Sequence, residues 1–216
     1  MRHETIERGK FITLEGGEGG GKSTQSTILV NRLLRAGRRV VATREPGGSP
    51  LAEEIREALL SGRIWQLGPV AEAVLFGVAR ADHVDYAIVD ALEQGKWVVC
   101  DRFIDSTRAY QGASSGVSKP VIGALERLTT GGLKPDLTII LDIPPKAGLA
   151  RANERLGDET PDRFESQEVL MHERIRQAFL DIAEEESERC VVIDANQPEG
   201  VVAEDVWEAV TERLSP

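Results

Sequence analysis

Gly16-Gly17-Glu18-Gly19-Gly20-Gly21-Lys22-Ser23 fits the pattern GxxxxGK[ST] and stands where an apolar run hands over to an amphipathic one. Phe11-Ile12-Thr13-Leu14 before it suits a buried parallel strand, and Thr24 to Leu34 after it carries apolar residues at helical spacing. Five glycines let the backbone wrap a phosphate chain with its N–H groups inward, where a Cβ would block the approach. The helix N-terminus adds the positive end of a dipole. Lys22 then meets the outer phosphates as a point charge, and Ser23 offers its hydroxyl to Mg²⁺. A glycine-rich turn with an ordinary N-cap is the plain alternative, and the flanking strand and helix count against it.

Outward from this loop, further apolar runs predict strands at Arg39 to Thr43, Lys96 to Cys100, Asp136 to Leu141 and Cys190 to Ile193. Helical spacing falls between them, at 51–60, 70–94, 119–129, 144–155, 164–188 and 199–214. Strands that are nearly all apolar and alternate with helices predict an α/β fold: three layers, with a five-stranded parallel sheet flanked by helices. No repeat, low-complexity tract or linker divides residues 1–216, which read as one domain. The polar stretch Leu156-Gly157-Asp158-Glu159-Thr160-Pro161-Asp162 predicts a surface excursion. With Arg151, Arg155 and Arg163 around it, we read a lid insertion at about 147–164 that closes over phosphates.

Ligands of open parallel sheets gather beyond the carboxyl ends of the strands. After the second strand comes Arg44-Glu45-Pro46-Gly47-Gly48, and after the third Asp101-Arg102. An arginine and a carboxylate at each of two positions beside a phosphate loop predict a second, phosphate-bearing substrate. Composition narrows the classes further. The net charge of −10 argues against a broad basic face for nucleic acid, so anionic ligands need concentrated arginines. The N-terminal MRHETIERGK lacks the apolar stretch of a signal peptide and no run approaches membrane-spanning length, so a cytoplasmic protein is expected. Cys100 and Cys190 have no CxxC or Cys/His spacing and predict buried free thiols. His3, His83 and His172 are scattered, which leaves no metal expected beyond nucleotide-borne Mg²⁺.

Four motifs together make the chain similar to bacterial thymidylate kinases over nearly its whole length. They are EGGEGGGKST at Glu15 to Thr24, TREPGG at Thr43 to Gly48, DRF with STRAYQG between Asp101 and Gly112, and LKPDLTIILDIPP from Leu133 to Pro145. The resemblance implies the P-loop fold of the nucleoside monophosphate kinases and transfer of the ATP γ-phosphate to dTMP with Mg²⁺. It implies that Gly16, Gly17, Glu18, Gly19, Gly20, Gly21, Lys22, Ser23 and Thr24 hold the donor, and that Arg44 and Arg102 grip the dTMP phosphate through planar guanidinium groups. Asp101, with Ser23, would order Mg²⁺ and its waters or take the acceptor proton; Asp142 competes for that role but has no arginine or glycine motif beside it.

Phe76 and Arg80 lie four apart on one helix face. The resemblance implies that Phe76 stacks on thymine and Arg80 bonds the base edge; core packing and a surface charge are the plain readings. It gives Ser106 and Gln111 further base contacts, Tyr110 the crowding of a ribose 2′-hydroxyl, and Glu18 the sugar 3′-hydroxyl. Position 19 is Gly where one branch of the family carries an arginine finger, so Arg151, Arg155 and Arg163 stand as alternative catalytic arginines, with Arg151 also a candidate for stacking on adenine. Phe103 stands where the family usually has Tyr or His, predicting adjusted packing near the sugar. Asp194-Ala195-Asn196-Gln197-Pro198 resembles the adenine-side loop. The family forms homodimers through the region of helix 70–94, whose apolar residues on several sides fit complete burial within a monomer equally well. A kinase of another nucleotide or nucleoside, and a non-catalytic nucleotide-binding protein, are the alternatives.

Overall fold

The computed structural model describes residues 7–156 and 169–216. Strands β1 (Phe11–Glu15), β2 (Val40–Arg44), β3 (Trp97–Asp101), β4 (Leu137–Asp142) and β5 (Cys190–Asp194) form one parallel sheet in the order β2-β3-β1-β4-β5. Each strand runs one residue past its apolar stretch, because the ladder continues through a polar residue; Arg44, for example, pairs with Asp101 in register. Glu15, Arg44, Asp101, Asp142 and Asp194 are therefore the last residues of their strands, gathered at one rim. Arg44 and Asp101, expected just after their strands, instead close them.

The helices are α1 (Lys22–Arg35), α2 (Pro50–Leu60), α3 (Pro69–His83), α4 (Val89–Glu93), α5 (Ile104–Thr107), α6 (Lys119–Thr130), α7 (Pro145–Leu156), α8 (Val169–Glu185) and α9 (Glu199–Leu214). The stretch expected as one helix over 70–94 is divided by a π-helical turn at Val84–Ile88. A second π-helical segment, Arg108–Ser114, continues α5. Helical periodicity did not foreshadow α5 and its continuation, since Ser, Thr, Tyr and Gly are poor helix formers. Packing stabilises them: Ala109 and Tyr110 bury against Ile175, Ala178 and Phe179 of α8.

Alternation along β1 decides what each face of the sheet holds. Ile12 and Leu14 join Val99, Ile139 and Leu141 under Leu29 and Leu33 of α1 and Val206 and Val210 of α9, a continuous apolar core. On the other face Phe11 packs with Val98, Cys100, Ile88, Leu92 and Phe103, while Ile140 packs with α8. Between these two clusters Thr13 hydrogen-bonds Thr138 at 2.8 Å, and Arg189 donates to Thr138 Oγ1 at 2.7 Å and to both oxygens of Asp105 at 2.8 and 2.9 Å. Arg108 donates to Asp105 at 3.0 Å and to Glu186 at 2.5 Å. Burial opposes ionisation of Glu186, but the bonds and charges of Arg189 and Arg108 outweigh it and hold this carboxyl down at about 2. Cys100 and Cys190 are free and buried, and no helix among the described residues is long and apolar enough to cross a membrane.

Asp105 is fully buried and pairs with both Arg108 and Arg189, so neutralising it leaves these two arginines to share the more exposed Glu186. Asp105→Asn should destabilise the fold by about 3 kcal/mol, read as a lower urea midpoint at unchanged slope.

Candidate active site

The phosphate loop keeps its shape because glycine stands wherever backbone meets backbone. Gly16 has φ +127°, and a Cβ there would lie 2.4 Å from Leu141 O. At Gly19, φ is +69° and a Cβ would lie 1.9 Å from Gly148 O, at the start of α7. A side chain at position 19 therefore has no room, which accounts for the absent arginine. The helix behind the loop, α1, begins at Gly21 without a side-chain cap and without an acidic residue in its first turn. Its first N–H groups and dipole are thereby left for an anion.

Lys22 is buried and donates to Gly17 O at 2.6 Å. Burial, with Arg102 adding to it, pulls its ammonium down to about 8 against the opposing pull of Glu18, Asp101 and Glu15. Ser23 donates to Asp101 Oδ2 at 2.5 Å. These two hard oxygen donors touch across the sheet rim, which suits a cation that keeps most of its water and arrives on a phosphate. Among the described residues no group of three or more His, Cys, Asp or Glu forms a protein-built metal cage.

Arg102 lies just past β3 in the left-handed region, φ +72°, a conformation that costs a non-glycine residue about 1 kcal/mol or more. Four acceptors hold it there: Gly16 O at 3.1 Å, Ser106 Oγ at 3.2 Å, Glu18 Oε1 at 2.7 Å and Tyr110 Oη at 3.2 Å. Its guanidinium sits 5.1 Å from the Tyr110 ring centre. Tyr110 also donates to Glu18 Oε1 at 2.7 Å, and burial pushes its phenol well up, so it remains a donor. Burial would raise Glu18, but Arg102, Lys22, the Tyr110 bond and His172 overcome it and take this carboxyl down to about 2. Both bonds land on one oxygen of Glu18.

Arg80 lies buried across the cleft. Its Nε donates to Glu45 Oε2 at 2.8 Å and its Nη2 to Thr107 Oγ1 at 2.9 Å and Phe103 O at 3.3 Å. Its Nη1 is buried without a partner among the described residues. A buried donor left open in a cleft wall calls for an acceptor on a ligand. Glu45 is shared with His83 Nδ1 at 3.1 Å, and His83 Nε2 in turn meets Thr43 Oγ1 at 2.7 Å.

One cleft of about 500 Å³ collects most residues named from the sequence: Glu18, Gly19, Gly21, Lys22, Ser23 and Thr24 from the loop, with Arg44, Phe76, Arg80, Asp101, Arg102, Ser106, Tyr110 and Gln111. Gly16, Gly17 and Gly20 supply the loop backbone behind that lining. Gln111 is turned away to Glu72, donating at 2.9 Å. Arg44 is half exposed and bonds Glu53 at 3.1 Å. Arg151 does not reach the cleft; it donates to Ala195 O at 2.8 Å in the 194–198 segment. The side chain of Arg155, and Arg163 with the stretch 157–168, lie outside the described residues. Phe103, expected near the sugar, lines the cleft but is fully buried, edge-on to Phe11 at 4.9 Å. Asp142, which has no arginine or glycine motif beside it in the sequence, is met from a distance by Arg176 of α8, which grips both its oxygens at 2.7 and 2.9 Å.

Residues 14–206 match the family model described as Thymidylate kinase. The chain belongs to the thymidylate kinase family. It is 56% identical over 207 residues to a thymidylate kinase of Nitrobacter hamburgensis, covering 96% of this chain and 90% of that one. It is 57% identical over 209 residues to one of Rhodopseudomonas palustris, with the same coverage. A crystal structure of thymidylate kinase from Ehrlichia chaffeensis superimposes with a TM-score of 0.75 at 34% identity, covering 94% of this chain and 99% of that chain.

The thymidylate kinase motifs contain Glu15 and Glu45 without assigning them partners, and they do not reach His83 or Arg176. Two signals were present. Glu15 is a carboxylate closing an otherwise apolar strand, and His83 stands three residues from Arg80 on one helix face. Glu45→Gln should cost about 3 kcal/mol in urea denaturation, because Arg80 stays buried against a neutral partner. The same change at the more exposed Glu53 should stay within about 0.5 kcal/mol.

Proposed function

We infer that this protein transfers the γ-phosphoryl group of ATP to dTMP, giving ADP and dTDP. The observation that supports this most directly is the cleft itself, in which a phosphate loop with a buried lysine faces two arginines held by carboxylates, Arg102 by Glu18 of the loop and Arg80 by Glu45 just past β2. Phosphoryl transfer asks a protein to align donor and acceptor and to neutralise the charge on the moving group. In our reading the loop amides and Lys22 take the ATP phosphates. Ser23 and Asp101 hold Mg²⁺, which when bound neutralises phosphate charge.

Arg102 and Arg44 take the dTMP phosphate. Arg102 is already oriented by its acceptors, whereas Arg44 must exchange Glu53 for the ligand. Arg80 offers its open Nη1 to a carbonyl of the base, with Phe76 against the base plane and Ser106 and Gln111 beside it. Glu18, ionised at neutral pH, keeps one oxygen for the sugar 3′-hydroxyl, and Tyr110 closes the space a 2′-hydroxyl would need. The catalytic arginine comes from Arg151, Arg155 or Arg163 on the lid insertion of a single domain. Arg151, bonded to Ala195, fits the adenine side better than the transferring phosphate.

Helix α3 carries Val70, Val74 and Val78 exposed at four-residue spacing. We read this stripe as the face through which two copies pair, so sedimentation should give a dimer that Val74→Asp dissociates. The free buried thiols fit a reducing compartment, and we read the protein as cytoplasmic.

ADP production from ATP and Mg²⁺ against dTMP, dUMP, dCMP, dGMP, AMP, UMP and thymidine tests the function. A strong preference for dTMP is expected. Turnover with another acceptor would remove the thymine pocket, and no turnover with any acceptor would favour a binding protein. Lys22→Ala should abolish turnover with the circular dichroism spectrum unchanged; near-native activity would reject the loop assignment.

A further inference from the structure

Two fully buried carboxyls, Glu15 at the end of β1 and Asp105 in α5, lie close enough to act on each other electrostatically, and the chain treats them differently. Asp105 receives two arginines, Arg108 and Arg189. Glu15 receives only neutral donors. Its Oε1 accepts the Phe103 N–H at 2.7 Å and the Ser106 N–H at 3.3 Å, and its Oε2 lies 2.6 Å from Ser106 Oγ. The guanidinium of Arg102 is engaged with Gly16, Ser106, Glu18 and Tyr110. A carboxyl out of water, beside a like charge and without a direct cation, is more stable neutral.

The hydrogen then has one place to go. Oε1 is occupied by two N–H donors, so the proton of a neutral Glu15 sits on Oε2 and is donated to Ser106 Oγ. That oxygen also accepts from Arg102 Nη1 at 3.2 Å. With both lone pairs used, the Ser106 hydroxyl hydrogen must point elsewhere, and Ser106 lines the cleft. If Glu15 were ionised, the Ser106 hydrogen would be drawn back to it and Ser106 would offer the cleft no donor.

We propose that Glu15 is a positioning residue: held neutral, it donates to Ser106 and thereby turns the Ser106 hydroxyl into a hydrogen-bond donor for the bound nucleotide. The proposal rests on the reading of the cleft as the dTMP site. Burial, then the charge of Asp105, raises the Glu15 carboxyl to about 8 against the lowering effects of Ser106, Arg102 and the Phe103 N–H. Charged and titratable groups that face it are Arg102 just past β3, Cys100 within β3, Lys22 on the phosphate loop and Asp105 on α5. The donor is thus present at neutral pH and lost as pH rises past about 8.

Glu15→Gln separates this from a merely structural role. The amide keeps an oxygen for the two N–H donors and an N–H for Ser106, so it imitates the neutral acid at every pH. For the native protein, KM for dTMP should rise about fivefold to tenfold from pH 7 to 9, the weight of one hydrogen bond. In Glu15→Gln it should match the native value at pH 7 and stay flat. Ser106→Ala should show the raised value throughout, also without an alkaline limb. Lys22 titrates in the same range but faces the donor, so its limb belongs to KM for ATP and should persist in both variants.

An infrared difference spectrum of native against Glu15→Gln reads the protonated carboxyl directly and does not depend on the acceptor. A C=O band that disappears on titration past about 8 is expected. Absence of that band at pH 7, or a dTMP limb unchanged in Glu15→Gln, overturns the proposal. If the band is present and dTMP is no substrate, the identity of the acceptor fails and the placement of the proton stands.

Discussion

A guanidinium withdrawn from water has to be met by acceptors around its whole rim, and that requirement at Arg102 organises the site. The acceptors come from two separated parts of the chain: Gly16 and Glu18 of the phosphate loop, and Ser106 and Tyr110 on α5 and its π-helical continuation. Arg102 meets all of them from a backbone held at φ +72°. The strain there is held in place by the surrounding contacts, as expected where a side chain must be aimed before its ligand arrives. The benefit runs both ways. Glu18 stays ionised because Arg102 and Lys22 are beside it, and Arg102 stays oriented because Glu18 is.

The turn after β3 also ties the two ends of the nucleotide site together. Phe103 donates its N–H to Glu15 and accepts from Arg80 through its carbonyl. The backbone unit of a single residue therefore stands between the strand that leads into the phosphate loop and the arginine on the opposite wall. The Phe103 side chain, wedged beside Phe11 and under the Arg80 guanidinium at 5.4 Å, fixes that unit from the apolar side. Losing a hydrogen-bonding side chain at position 103 leaves the polar link intact, since backbone atoms carry it.

The glycine loop, the parallel sheet and three of the arginines that line the cleft, Arg44, Arg80 and Arg102, were legible in the sequence because each is local: a spacing, an apolar run, a dipeptide at a strand end. Their partners were not. Glu18 and Arg102 are 84 positions apart, Glu45 and Arg80 are 35, Asp142 and Arg176 are 34. Adjacent Arg44-Glu45 and Asp101-Arg102 suggest internal pairs, yet each pair straddles a strand end and its two side chains go to different partners. Arg44 goes to Glu53, Glu45 to Arg80, Asp101 to Ser23 and Arg102 to Glu18. The helical course of 104–114 was hidden for a related reason: packing against α8 overrides propensities that favour no helix.

The close approach of Gly19 and Gly148 sets a further limit on where positive charge can enter. Each glycine lies where a Cβ on it would strike the other segment: Gly19 against Gly148 O at 1.9 Å, Gly148 against Glu18 O at 2.3 Å. The first turn of α7 is thus seated directly on the phosphate loop. One turn further along, Arg151 is bonded to Ala195, so the same helix touches the loop and the segment after β5. At position 19 the loop keeps its backbone donors but has no space for a cationic side chain. A cation that position 19 cannot carry can reach over the loop from outside it, and α7 is an element already in contact from which such a side chain can be presented.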